Sequence, residues 1–120
     1  MAIQIPACAL ENAERPENRR RRERFSIVGK IALVPLSADG SPLANETLIV
    51  YGKDLSRTGI CFSHDAPLAY RSFVLSFCCV EFGEFVVEAK VAWTRQSLIG
   101  LYDTGCWLVR KILVPPSFES

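Results

Sequence analysis

Phe85-Val86-Val87-Glu88-Ala89-Lys90-Val91-Ala92-Trp93-Thr94 is the stretch that decides the fold. Phe85, Val87, Ala89, Val91 and Trp93 fall on one side, with Glu84, Glu88, Lys90 and Thr94 on the other. A period of two over 85–94 predicts a long, half-buried antiparallel strand with its apolar side on a core. Trp93 is read with that core side. Upstream, Glu81-Phe82-Gly83-Glu84 turns the chain back from another strand-like run at 72–80. Downstream, Arg95-Gln96-Ser97 is read as a turn into a last strand at 98–109, interrupted by Gly100 and Gly105. Glycine inside a strand pattern signals a bulge, a corner or a close approach of other atoms to the backbone. Three further strands are expected at 27–36, 47–53 and 59–63. The first ends at the turn signal Ser37-Ala38-Asp39-Gly40-Ser41-Pro42, and the third at His64-Asp65-Ala66-Pro67. His64, the only histidine, is read as a surface residue of that turn. Six short strands with no long helical pattern point to an all-β, antiparallel barrel.

A chain of 120 residues makes one domain. At that length about two-thirds of the unfolded surface is buried on folding, so no metal or disulfide is required. Hydrophobic residues make up 49% of the chain, and the net charge is only +1. That balance argues against a protein wrapping a long polyanion, so nucleic acid is a disfavoured partner. The positive charge is local instead, because six of the fourteen Lys and Arg lie between Arg15 and Arg24. Five cysteines (Cys8, Cys61, Cys78, Cys79 and Cys106) are odd in number and have no Cys-x-x-Cys spacing. They read as reduced thiols, four of them in apolar strand runs, in a cytoplasmic protein. No apolar run is long enough to span a bilayer, and the N-terminus lacks a basic region ahead of its apolar residues, so neither a membrane partner nor a signal peptide is expected. Catalysis finds no support. There is no phosphate loop ending in Lys-Ser/Thr, no Gly-x-Ser-x-Gly elbow and no histidine set for a metal, so a binding protein without cofactor is expected rather than an enzyme.

Two polar clusters carry the functional signal. Arg19-Arg20-Arg21-Arg22-Glu23-Arg24 stops at Phe25, and Asp54-Leu55-Ser56-Arg57-Thr58-Gly59 separates two apolar stretches. Taken alone, the first is a solvated arm and the second a β turn with Asp54 and Ser56 capping local amides. Together they resemble the two motifs of the PilZ domain, the bacterial receptor family for cyclic di-GMP. That family has Arg-x-x-x-Arg ahead of its first strand and (Asp/Asn)-x-Ser-x-x-Gly between its second and third. Arg20 and Arg24 fit the first motif; Asp54, Ser56 and Gly59 fit the second. Val91-Ala92-Trp93-Thr94-Arg95, with Gly100 and Gly105 after it, is similar to the family's closing hairpin. The arginine register stays open, since Arg19, Arg21 and Arg22 crowd the motif.

The resemblance implies a PilZ-like barrel over 19–114. Composition reads 1–18 as a flexible arm and 115–120 as a disordered tail. Pro115 and Pro116 leave little or no C-terminal helix, a departure from the many family members that end in one. The resemblance also implies cyclic di-GMP as ligand. Arginine suits that ligand because its planar donor fork matches the N7/O6 edge of guanine and also pairs with phosphate. Arg20 and Arg24, assisted by Arg21, would close over the ligand. Asp54 would accept from the N1–H and N2–H₂ donors of guanine, and Ser56 would donate to phosphate or base. Gly59 would supply a positive φ or room for close approach, and Arg57 would add a phosphate contact. The expected output is a surface shown to a downstream protein or to a second copy of the chain. Two alternatives stay open: an adaptor of the same fold that binds no nucleotide, and a small nucleic-acid-binding barrel.

Overall fold

A computed structural model describes residues 23–119. The proposed arm at 1–18, with Arg19, Arg20, Arg21 and Arg22, lies outside the described residues, as does Ser120. The strands are β1 (Phe25–Ser26), β2 (Lys30–Pro35), β3 (Leu48–Leu55), β4 (Gly59–His64), β5 (Ser72–Cys79), β6 (Gly83–Leu98) and β7 (Leu101–Leu113). A short helix, α1 (Pro116–Glu119), ends the described chain. Pairing runs β2-β5-β6-β7-β4-β3, and β3 pairs back onto β2, so six antiparallel strands close a barrel. β1 lies beside β3, with Phe25 opposite Leu55 and Ser26 opposite Asp54. Closure leaves few unpaired strand edges, and the alternating apolar residues all meet inside. Ile31, Leu33, Val50, Leu55, Ile60, Phe62, Phe73, Leu75, Phe85, Val87, Ala89 and Cys106 form that core.

The six expected strands are present, with three changes. The hairpin turn lies at Ile99–Gly100 rather than Arg95–Ser97, because Leu98 pairs with Leu101 and Gly100 takes a φ of 79° that a side chain would resist. The strand expected at 27–36 is shortened to β2, because Val28 and Gly29 are not in strand and Ile27 makes only an isolated bridge to Cys79; β1 lies ahead of it. The tail is not disordered over the described part of 115–120. Pro116 opens one helical turn, and Phe118 is buried with its ring centroid 4.9 Å from Phe85, 5.3 Å from Phe82 and 5.9 Å from Phe25. These edge-on rings plug the barrel end nearest the Ser56 turn.

His64 is likewise buried rather than on the surface. Its Nδ1 lies 2.6 Å from the Ala66 carbonyl, which only accepts, so Nδ1 carries the proton. Nε2 then accepts from the Thr104 hydroxyl at 2.6 Å, and Thr104 bonds Thr94 at 3.0 Å. Every polar atom of the ring is therefore used inside the barrel, and the imidazole is structural.

Cys61, Cys79 and Cys106 are buried and Cys78 is exposed. Burial pushes the Cys106 thiol far above its ordinary value, and raises Cys79 as well. Since the thiolate is the reactive form, iodoacetamide at pH 8 is expected to modify Cys78 quickly and to spare Cys106 until denaturant is added. Peptide mapping that found both labelled equally fast in the native protein would contradict this burial.

Candidate functional site

Arg24, the described arginine of the first motif, meets Asp54 of the second near the barrel end closed by Phe118. Arg24, immediately before β1, extends Nη1 to within 3.8 Å of Asp54 Oδ2. Asp54 is near the end of β3, opposite Ser26, so strand pairing fixes the root of the arginine segment beside the carboxylate. Both side chains keep partial exposure, 27% and 30%. The other carboxylate oxygen, Asp54 Oδ1, is buried and finds no hydrogen-bond partner among the described residues. A buried acceptor left unsatisfied is costly and commonly marks a functional position. Arg20 and Arg21, the other arginines proposed for this site, lie outside the described residues.

Ser56 and Gly59 form the turn that holds Asp54 in place. The Ser56 amide donates to the Gly59 carbonyl at 2.8 Å, and Ser56 Oγ accepts from the Gly59 amide at 3.1 Å. Ser56 is buried, and the bonds of its hydroxyl are local. Gly59 is also buried and does not adopt a positive φ, so of its two expected roles only close approach remains. Arg57 turns away from the carboxylate. Its Nη1 donates to the Phe118 carbonyl, its Nη2 lies 3.3 Å from Glu23 Oε1, and its guanidinium sits 5.5 Å from the Phe25 ring centroid and 5.1 Å from that of Phe118. The expected phosphate contact is thus occupied in fastening α1 to the motif turn.

Trp93 corrects the sequence reading. Val91 pairs with Cys106 but Trp93 pairs with Gly105, so β6 gains one residue at Ala92 against β7. That bulge moves Trp93 to the outer face, where its indole lies directly on Gly105. A Cβ on Gly105 would sit 2.0 Å from Trp93 Nε1. The indole N–H is buried and has no hydrogen-bond partner among the described residues. A second bulge between Gly52 and Asp54 similarly turns Asp54 outward. Register then forms one outer row across four strands: Asp54, Cys61, Gly105 and Trp93. The missing side chain at Gly105 lets the indole lie flat between the strands. The Gly105 anomaly was the available signal for this arrangement, and the bulge was hidden in an otherwise regular alternation.

No protein-family model matches the chain, and no curated protein sequence matches it. Among solved structures it is similar to the Bacillus subtilis inhibitor of motility MotI/DgrA, with a TM-score of 0.56 and 14% identity over 82% of this chain and 45% of that one. The barrel has a PilZ-like fold. A second solved structure, MrkH, described as a c-di-GMP-dependent transcription regulatory factor, aligns with a TM-score of 0.49 and 16% identity over 78% of this chain and 44% of that one. The chain therefore spans less than half the length of either structure. Among the described residues no helix is long and apolar enough to cross a membrane.

Proposed function

We propose that this barrel is a cytoplasmic receptor for cyclic di-GMP, and that ligand binding orders its arginine-rich lead-in to present a surface to a partner protein. The carrying observation is that Arg24 reaches Asp54 while the second carboxylate oxygen is buried and has no hydrogen-bond partner among the described residues. A guanine edge supplies the donors such an oxygen lacks, and the arginine fork supplies donors to N7, O6 or phosphate. Before binding, the clustered arginines repel one another; two ligand phosphates neutralise them and draw the segment over the outer face. Arg20 and Arg24 are the principal clamps in this reading, with Arg21 beside them. This is an order–disorder switch whose output passes to a separate protein or a second copy of the chain.

Titration calorimetry with cyclic di-GMP tests the reading directly. Arg20→Ala and Arg24→Ala are each expected to weaken binding by tens-fold, the factor that corresponds to about 2 kcal/mol for a lost charged hydrogen bond. Unchanged affinity in both variants would remove arginine from the mechanism. One observation favours the nucleotide-free adaptor as second reading. The β6–β7 hairpin carries an apolar tip, with Leu98 65%, Ile99 98% and Leu101 39% exposed, which suits a protein surface. Absence of any cyclic di-GMP heat in the wild type would select that reading.

A further inference from the structure

A second charged cluster lies on the same outer face, one row away from Asp54 and Trp93. Register places Ser63 opposite Asp103 and Asp103 opposite Arg95, two residues along each strand from Cys61, Gly105 and Trp93. Two strand residues span about 6.8 Å. Asp103 is the buried member, its side chain only 6% exposed. Ser63 Oγ donates to its Oδ1 at 2.8 Å. Lys53 Nζ and Arg95 Nη2 approach the same Oδ2, at 3.4 and 3.7 Å. These two cations keep 45% and 43% of their side-chain surface. The Arg95 guanidinium also sits 6.0 Å from the centroid of the Trp93 ring.

The charges in this cluster are unequal. Two half-exposed cations converge on this one buried carboxylate, which also accepts from a hydroxyl. Lys53 is there only because it occupies the bulge between Gly52 and Asp54. Without Asp103 the two would repel, so the carboxylate fixes their spacing from below while their outer sides face solvent. Two like charges held together at a surface, beside an aromatic face, suit a phosphate attached to a base.

We infer that Lys53 and Arg95 form a second anion subsite, which takes a phosphate of the nucleotide whose base is held near Asp54 and Trp93. Asp103 is its positioning residue and resident counter-ion. This subsite rests on the nucleotide reading of the Asp54 corner, but its charge arrangement is a separate observation. The ligand class is a phosphodiester or pyrophosphate group. Asp103 opposes the incoming anion as well as spacing the cations, so its charge sets how tightly the subsite binds.

The test uses the full chain and two probes. With cyclic di-GMP in titration calorimetry, Lys53→Gln and Arg95→Gln are each expected to weaken binding about tenfold, as for a lost charged hydrogen bond. Lys53→Arg should retain it, and Lys30→Gln, on β2, should leave it unchanged. Asp103→Asn keeps an acceptor for Ser63 but removes the opposing charge, and is expected to tighten binding several-fold. A merely structural ion pair predicts the opposite sign. The second probe, inorganic pyrophosphate, is followed in amide NMR spectra at residues 53, 95 and 103, which also report folding of each variant. Shifts that vanish in the Lys53→Gln/Arg95→Gln double variant support the subsite even if cyclic di-GMP does not bind, a result that would fell only the nucleotide reading. Unaltered cyclic di-GMP affinity in both single variants, weaker binding in Asp103→Asn, or a spectrum indifferent to pyrophosphate would each overturn the inference.

Discussion

Phe118→Ala is expected to remove about 3–5 kcal/mol of unfolding free energy, a large share of the 5–15 kcal/mol typical of a domain. The side chain is buried to 1% exposure, and its ring meets Phe25, Phe82 and Phe85 edge-on. Four residues of helix have almost no stability of their own, so α1 stays docked through that ring and through the Arg57 bond to the Phe118 carbonyl. Alanine would leave a cavity in the aromatic plug, and release of the turn would expose Phe25 and Phe82 as well. Phe118→Leu, which refills most of the volume, should cost only about 1–1.5 kcal/mol. Urea denaturation measures both. With a slope of about 1 kcal/mol per molar, the alanine variant should lose several molar of its midpoint or fail to fold. A midpoint equal to wild type would mean that the tail contributes nothing to the plug.

That tail shows where local reading stops. Pro115 and Pro116 signal an end to regular structure, and the few residues after them hold no pattern. Proline is nevertheless favoured in the first position of a helix, and the aromatic cavity at the barrel end has room for one more ring. Neither fact is visible until Phe25, Phe82 and Phe85 have been brought together by closure. The strands were legible for the opposite reason: alternation such as Phe85, Val87, Ala89 and Val91 is written in consecutive residues. Trp93 continued the alternation in sequence and departed from it in space, because the extra residue at Ala92 reverses sides. The nearness of Arg24 to Asp54 was legible only through the family resemblance, which sets both motifs around one ligand. The Lys53–Asp103–Arg95 cluster was not, because its members meet only through cross-strand register and the bulge at Lys53.

Asp54→Ala separates stability from binding most sharply, and its two effects are expected to have different signs. In the unliganded barrel the carboxylate gains little. Oδ2 is 3.8 Å from Arg24, too far for a hydrogen bond, and so partly exposed a pair contributes about 0–1 kcal/mol. Oδ1 is buried without a partner among the described residues, an arrangement that costs about 1–3 kcal/mol. Removing the group should therefore leave the melting temperature unchanged or raise it. Binding should respond in the other direction. Adjacent guanine donors would engage both oxygens, each charged hydrogen bond contributing about 1.5–3 kcal/mol, so their joint loss weakens cyclic di-GMP by at least about 100-fold. A residue kept for the fold gives the reverse pattern, lower melting temperature with binding retained. Thermal melts and calorimetric titrations of the same preparation distinguish the two, because the stability of the free barrel and its affinity are read independently. The asymmetry has a physical origin: near the end of β3 the fold holds a buried acceptor that has no donor among the described residues, and an incoming guanine would supply one.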